Sequence, residues 1–148
     1  MILLDTNLLG RMTDSADPHC APARRAVHAL FAAGERLIIV PQCLFEFWAV
    51  ATRTRGAPPM GLNGLGMTPQ QAGQWLRFFQ RRFTLLPDRE ELVGLWHSLV
   101  ETQAIRGFRS HDARLVAAMQ SYGITRLLTF NGSDFRRLPV SVLDPRSV

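Results

Sequence analysis

The first nine residues, MILLDTNLL, open with a wholly apolar run that ends directly at an acid, Asp5. Four further short apolar runs follow along the chain: RLIIV at 36–40, FTLLP at 83–87, RLLTF at 126–130 and SVL at 141–143. These runs do not alternate apolar with polar residues, so they predict strands that are buried on both faces. Helix-like stretches separate them. The sequence therefore predicts an α/β fold with a central, mostly parallel sheet of four to five short strands, covered by helices on both faces.

Helix start and stop signals lie between the predicted strands. Helices are predicted over residues 18–33, 41–53 and 69–82, then after an N-cap at Asp88, and from an N-cap at Ser110 to a stop at Gly123. Thr68 followed by Pro69 is a typical N-cap with proline at the first helical position. Residues 54–67 are rich in glycine and proline and predict a loop.

The composition is that of a globular protein. The 148 residues fit one domain, 1–148, that is large enough for its own hydrophobic core. Hydrophobic residues make up 47% and charged residues 20%, which excludes the disordered and membrane classes. No apolar run approaches the length of a membrane span, and no secretory signal is seen. Two cysteines, Cys20 and Cys43, do not make a disulfide framework, so we expect free thiols and a cytoplasmic location.

The charge balance indicates an anionic partner. All 17 basic residues are arginine, and they outnumber the 12 acidic residues to give a net charge of +5. Guanidinium groups suit two-point contacts with phosphate or carboxylate, so the partner is expected to be a nucleic acid or an acidic protein. The lack of lysine also has a plain explanation in codon bias, which leaves the net charge as the informative observation.

Four acids occupy positions that predict a shared site. Asp5 and Asp134 each follow a predicted strand, whereas Glu46 and Asp112 lie in early turns of predicted helices. The carboxyl ends of parallel strands meet at one edge of a sheet, where open α/β sheets bind their ligands. Each acid also has a simpler interpretation, as a helix cap, a partner of a helix dipole, a turn residue or, for Glu46, part of a solvent-facing helical stripe that includes Gln42.

Four carboxylates in one cleft would repel one another unless a cation joined them. Mg²⁺ or Mn²⁺ is the expected cation, because these ions prefer oxygen ligands and are held by few protein carboxylates. An arginine could neutralise the cluster instead, and Arg114 is close to Asp112 along the chain. The residues by themselves leave both possibilities open.

Four segments, in this order, resemble a known family: MILLDTNLL at the start, the helix that carries Glu46, HDARLVAAM at 111–119 and LLTFNGSDFRRL at 127–138. Together they resemble a PIN domain, and most closely the VapC-type ribonuclease toxins of bacterial toxin–antitoxin systems. The resemblance covers essentially the whole chain. It implies a three-layer α/β/α sandwich formed by a single nuclease domain.

The resemblance also implies a site and partners. The divalent ion would be held by four catalytic residues: Asp5, Glu46, Asp112 and Asp134. Five further residues would line or support the site: Thr6, Asn7, Thr129, Asn131 and Ser133. The protein would be an Mg²⁺- or Mn²⁺-dependent endoribonuclease, the toxin of a type II pair that a cognate antitoxin inhibits, and a homodimer. Water attack on the RNA phosphodiester would leave 5′-phosphate and 3′-hydroxyl ends.

Arginines near the acids and the predicted loop are the expected RNA contacts. The candidates are Arg53, Arg55, Arg81, Arg82, Arg136 and Arg137. Any one of them has the simpler interpretation of a solvated surface charge. The aromatic residues Trp75, Phe78 and Phe79 offer a strip for a partner, although their helical spacing favours packing in the core.

Three other functions stay open from the sequence. A metal-free ribonuclease would use a pair of histidines, but the four histidines are scattered along the chain. A non-catalytic RNA-binding or regulatory module would use the same acids and basic surface for folding and docking. A DNA-directed or structure-selective nuclease would use the same metal site. A zinc-ligand spacing, a Gly-rich phosphate loop after a strand and a serine-nucleophile motif are all absent from the sequence.

Overall fold

The computed structural model describes residues 1–56 and 64–148. Its sheet has five strands: β1 Ile2–Leu4, β2 Leu37–Ile39, β3 Thr84–Leu85, β4 Arg126–Leu128 and β5 Ser141–Leu143. Every neighbouring pair is parallel, and the order across the sheet is β3-β2-β1-β4-β5. The predicted parallel sheet is confirmed. Most of its strands are shorter than the apolar runs that predict them.

Helices connect the strands throughout the described part of the chain. They are α1 Thr6–Thr13, α2 Cys20–Ala32, α3 Pro41–Thr52, α4 Pro69–Arg82, α5 Leu92–Thr102 and α6 Arg109–Ser121, with one turn of 3-10 helix at Gly132–Phe135. They pack in two groups: α1 contacts α2 and α3, and α3 contacts α4, while α5 packs on α6. This arrangement matches the predicted α/β/α sandwich. None of the helices in residues 1–56 and 64–148 is long and apolar enough to cross a lipid bilayer.

The central strand β1 positions the predicted site. Its three residues are fully buried, as expected for an apolar strand covered on both faces. The register pairs Leu4 with Leu128 across β1 and β4. Asp5 and Thr129, the next residue of each strand, therefore leave the sheet side by side at its carboxyl edge. The Asp5 N–H donates to the Leu128 carbonyl at 3.1 Å, which extends the pairing by one step.

Two of the predicted helix starts are wrong. α5 begins at Leu92 and not directly after Asp88, and α6 begins at Arg109, so Ser110 lies inside its first turn. Neither helix has a side-chain cap hydrogen bond. The Asp88 carboxylate instead accepts a hydrogen bond from Arg114 at 2.6 Å. A tertiary ion pair has replaced the local cap that the sequence pattern suggests.

Other local predictions are confirmed. The Thr68 hydroxyl accepts from the Gln71 N–H at 3.2 Å, and the Gln71 side chain accepts from the Thr68 N–H at 2.9 Å, which completes a capping box at the start of α4. Gly123, just beyond α6, has φ of 65°, a left-handed conformation that glycine adopts without strain. The predicted loop at 54–67 falls partly on residues 57–63, which lie outside the described residues.

Candidate functional site

A cleft of about 1050 Å³ lies at the carboxyl edge of the sheet. Its lining includes all four acids that the sequence singles out: Asp5, Glu46, Asp112 and Asp134. They come from four elements, namely the end of β1, helix α3, the first turn of α6 and the 3-10 turn after β4. The topology thus brings together acids that are far apart along the chain, and their ability to bind a metal ion stays a prediction.

Asp5 is the most buried of the four acids, with 8% of its surface exposed. Its Oδ2 accepts hydrogen bonds from the Thr129 hydroxyl at 2.6 Å and from the Asn7 amide at 2.5 Å. It stands at the N-cap position of α1, but its side chain makes no cap hydrogen bond, so the helix-cap interpretation is wrong. Burial raises the pKa of the Asp5 carboxyl to about 6; the Thr129 hydrogen bond opposes this shift, and the charges of Glu46 and Asp112 add to it.

Asn7 and Thr129 hold Asp5 in place as one unit. The Asn7 amide also donates to the Thr129 hydroxyl at 2.8 Å, and its oxygen accepts from the Phe130 N–H at 3.2 Å. The Thr129 hydroxyl accepts in addition from the Asn131 N–H at 3.0 Å. These bonds tie the start of α1 to the end of β4. Of the support residues expected by analogy, Asn7 and Thr129 therefore contact Asp5 directly.

Glu46 lies one helical turn after Gln42 on α3. Its Oε2 accepts from the Thr6 hydroxyl at 2.7 Å, and its Oε1 accepts from the Gln42 amide at 2.8 Å. Gln42 is only 6% exposed, so the solvent-facing interpretation is wrong at this end of the stripe, whereas Ala49 and Arg53 further along it are exposed. Both oxygens of the Glu46 carboxylate are thus oriented by neutral donors at the wall of the cleft.

Arg109 bridges the remaining two acids. Its Nη1 lies 2.5 Å from Asp134 Oδ1 and 3.4 Å from Asp112 Oδ2. Burial raises the pKa of Asp112, Arg109 opposes this, and the charges of Asp134 and Glu46 add to the rise. The Ser133 hydroxyl is 3.4 Å from Asp134 Oδ1, a long and weak contact.

Arg114, the arginine that its sequence position suggests as a possible counterion of the acids, does not have that role. Arg114 donates to Gln42 at 2.8 Å and to Asp88 at 2.6 Å, and it makes no ion pair with Asp112. Arg109 takes that role. The signal for Arg109 was its spacing of three residues before Asp112, which places the two side chains on the same helical face.

The four acids fit a divalent ion by their chemistry. They supply carboxylate oxygens, the ligands that Mg²⁺ and Mn²⁺ prefer. Asp5 is the clearest indication, because it is buried and its side-chain hydrogen-bond donors, Asn7 and Thr129, are neutral. In the arrangement described for residues 1–56 and 64–148, no three His, Cys, Asp or Glu side chains lie close enough together to hold one ion. The carboxylate oxygens are suitable ligands for such an ion, but in this structure Arg109 joins Asp112 and Asp134 instead.

Three arginines line the cleft: Arg11, Arg53 and Arg55. Arg11 and Arg55 form ion pairs with two further acids of the lining, Asp17 at 2.5 Å and Asp14 at 2.9 Å. The other expected RNA contacts are not part of this lining as far as the structure describes it, namely Arg81, Arg82, Arg136 and Arg137. Arg11 is not among the expected contacts, although it follows Asn7 by four residues on α1 and so shares its helical face.

The aromatic strip predicted on α4 is mostly core. Phe79 is fully buried and packs at 5.0 Å, edge to face, against Phe47. Phe78 is 39% exposed, and Trp75 stacks on Phe79 with centroids 5.8 Å apart. Within the described residues no histidine lines the cleft, which gives a histidine-based mechanism no support there.

Comparisons with known proteins match this chain to solved structures only; no family model and no curated protein matches it. A VapBC2 structure from Rickettsia felis, bound to a fragment of promoter DNA, matches with a TM-score of 0.70 at 17% identity, over 97% of this chain and 98% of that chain. FitAcB from Neisseria gonorrhoeae matches with a TM-score of 0.69 at 15% identity, over 100% of both chains. VapC20 from Mycobacterium tuberculosis, a Sarcin-Ricin loop cleaving toxin, matches at 0.65 and 17% identity, over 95% and 97% of the two chains. These likenesses establish the fold.

Proposed function

We propose that this chain, which has the fold of the PIN-domain toxins of VapBC and FitAB complexes, is a metal-dependent endoribonuclease and the toxin of a type II toxin–antitoxin pair. A single nuclease domain would span residues 1–148. The observation that supports this most is the cleft lined by four carboxylates, in which Asp5 is buried and has its pKa raised to about 6. Buried acids with raised pKa values in a cleft are typical of functional sites. The VapC20 likeness favours RNA over DNA as the substrate.

The acids would hold Mg²⁺ or Mn²⁺, with Asp5 and Asp112 as direct ligands and Glu46 and Asp134 binding directly or through water. A bound ion supplies a water of lowered pKa and stabilises negative charge on the phosphate oxygens. Asn7 and Thr129 keep Asp5 oriented by hydrogen bonds to its Oδ2. Hydrolysis by water leaves a 5′-phosphate and a 3′-hydroxyl and needs no cyclic intermediate.

The test is cleavage by the purified protein. We expect cleavage of RNA in Mg²⁺ or Mn²⁺, its loss in excess chelator, and 5′-phosphate ends on the products. Cyclic-phosphate ends would contradict this chemistry. Equal cleavage of DNA of the same sequence would favour a DNA-directed or structure-selective nuclease, and lack of cleavage of any RNA despite binding would favour a non-catalytic module.

Arg109 is expected to compete with the metal ion. The R109Q variant removes the cation that joins Asp112 and Asp134, so the affinity for Mn²⁺ should rise. Because solvent weakens the ion pairs of an exposed arginine, the rise should be modest, about three- to fivefold. Isothermal titration with Mn²⁺ alone measures it without reference to activity.

The matched control is R106Q, which removes the same charge from an exposed arginine three residues earlier. Its Mn²⁺ affinity should stay within about twofold of the unaltered protein, since exposed charges outside the site act only through screened long-range attraction. If R109Q and R106Q change the affinity equally, net charge and not the bridge is responsible.

RNA binding is expected to depend on the arginines that line the cleft. If Arg55 contacts one phosphate, the R55Q variant should reduce the slope of log affinity against log salt concentration by about 0.7, the value for a single-stranded nucleic acid. Fluorescence anisotropy with a labelled single-stranded RNA in chelator measures binding without cleavage. The control is R146Q, because Arg146 is paired with Asp144, is not among the expected RNA contacts and does not line the cleft. Equal salt-dependence slopes for both variants would show that Arg55 does not contact an RNA phosphate.

The proposal also includes protein partners. A cognate antitoxin would inhibit the enzyme, as the toxin–antitoxin complexes among the matched structures suggest. Exposed aromatic side chains, including Phe45 at 69% and Phe108 at 75%, offer apolar contact surface for a homodimer. We place the protein in the cytoplasm, where the buried thiols of Cys20 and Cys43 would stay reduced.

A further inference from the structure

We propose that Gln42, itself oriented by Arg114, is a positioning residue that fixes the Glu46 carboxylate for metal binding. This inference rests on the proposed metal site and extends it to two residues that lie behind the acids. It follows from a chain of hydrogen bonds that crosses from α6 to α3.

The Gln42 amide is buried, and both its nitrogen and its oxygen form hydrogen bonds. Only 6% of the residue is exposed. Its Nε2 donates to Glu46 Oε1 at 2.8 Å and to the backbone oxygen of His111 at 2.9 Å. His111 directly precedes Asp112, so this one amide contacts one proposed ligand and the backbone beside another. A displacement of Gln42 would therefore alter both Glu46 on α3 and the start of α6 that carries Asp112.

Arg114 decides which way the Gln42 amide faces. Its Nη1 donates to Gln42 Oε1 at 2.8 Å, and its Nη2 donates to Asp88 Oδ2 at 2.6 Å. An arginine can only donate, so the amide must present its oxygen to Arg114 and its NH₂ group to Glu46. In the reverse orientation the amide oxygen would face the carboxylate and repel it. Asp88 anchors the guanidinium on its outer side.

Glu46 is thereby held from two sides. Gln42 donates to Oε1, and Thr6 donates to Oε2 at 2.7 Å. Both donors are neutral, so they orient the carboxylate and leave its charge available to a cation. Outer partners of metal ligands act in this way, and their loss typically weakens metal affinity by about 10- to 100-fold.

The experiment measures Mn²⁺ affinity by isothermal titration in the full chain. We expect Q42L to weaken binding by about 10- to 100-fold. R114M, which changes a partly exposed side chain and leaves the buried amide in place, should weaken it about three- to tenfold, because the amide loses the donor that orients it. The control is R89M. Arg89 donates to the Ser121 oxygen at the C-terminal end of α6, far from Arg114 and the acids. Removal of the Arg89 charge should leave the Mn²⁺ affinity within about twofold of that of the unaltered protein.

A cycle with E46Q separates positioning from general structural support. If Gln42 acts through Glu46, Q42L should cost less than about twofold in the E46Q background, since the coupled partner is already changed. The same loss in both backgrounds, or a lower melting temperature with unchanged Mn²⁺ affinity, would overturn the inference. Q42L and R114M with normal Mn²⁺ binding would overturn it while leaving the metal site intact. Lack of Mn²⁺ binding by the unaltered protein would instead overturn the proposed function, and this inference with it.

Discussion

The D5N variant is expected to cleave RNA at least about a hundredfold more slowly than the unaltered protein. Loss of an outer partner of a metal ligand typically costs about 10- to 100-fold, and loss of a ligand itself should cost at least as much as the upper value. The change replaces a carboxylate by a neutral amide of the same shape. Thr129 and Asn7 still have an oxygen to bond, so the local structure should persist while the charge that attracts the metal is lost. The measurement is the initial rate of RNA cleavage at saturating Mn²⁺.

The matched control for this loss is D144N. Asp144 is paired with Arg146 near the end of the chain and does not line the cleft. Its removal should leave the cleavage rate within about twofold of the unaltered protein, as expected for an exposed ion pair outside the site. Cleavage that survives in D5N at the rate of the unaltered protein would show that Asp5 is not a catalytic ligand or that a contaminant cleaves the RNA.

The same substitution is expected to stabilise the protein in the absence of metal. The pKa of Asp5 is about 6 in the folded protein against 3.8 for an ordinary aspartate, chiefly because of burial. Well below pH 3.8 the group is protonated in both folded and unfolded states and has no effect on stability. Above pH 6 it is ionised in both, and the folded state bears the full cost of the buried charge, about 3 kcal/mol at 1.36 kcal/mol per pKa unit.

The unaltered, metal-free protein should therefore lose stability through this group as the pH rises from about 4 to about 6. Urea unfolding in chelator should show D5N about 1 to 3 kcal/mol more stable than the unaltered protein at pH 8, and nearly equal to it at pH 4. Asp144 provides the contrast, since its hydrogen bond from Arg146 lowers the pKa of its carboxyl and D144N should bring no gain. A difference between D5N and the unaltered protein that does not change with pH would contradict the raised pKa.

The D5N substitution is thus expected to lower the rate of RNA cleavage and to raise the stability of the metal-free protein. Loss of cleavage together with a gain in metal-free stability is the pattern expected when a site keeps a buried charge for function at the expense of folding. Mn²⁺ should restore part of the stability of the unaltered protein at pH 8, because a ligand that binds only the folded state stabilises it.

The fold could be predicted because its signals are local. Short apolar runs without alternation define the strands, although only β1, β2 and most of β4 are buried as predicted, while the edge strands β3 and β5 are partly exposed. The Thr68–Pro69 pair defines a helix start that the structure confirms. The prediction for the start of α5 failed where a tertiary contact overrides the local pattern. Asp88 has the residue type of an N-cap but bonds to Arg114 from another helix, a contact that no local window contains.

The site could be predicted only in part, for a related reason. The four acids stand next to strand ends or in helix starts, so topology alone suggests that they meet. Gln42 is a polar residue beside a glutamate on a helix, which by pattern faces solvent. Its burial depends on how α3 meets the start of α6, where it bonds the His111 oxygen. Arg109 and Arg114 are two arginines of one helix, and only the packed structure tells which of them reaches the acids.

The pairing of β1 with β4 also has a consequence for synthesis. Asp5 is synthesised 124 residues before its hydrogen-bond partner Thr129. The long-range contacts that close the cleft form slowly and last, because bringing distant segments together costs chain entropy. A growing chain that carries Asp5 and Glu46 thus has no complete cleft until the residues through Asp134 have been made, so the four acids come together only when nearly all of this stretch is present.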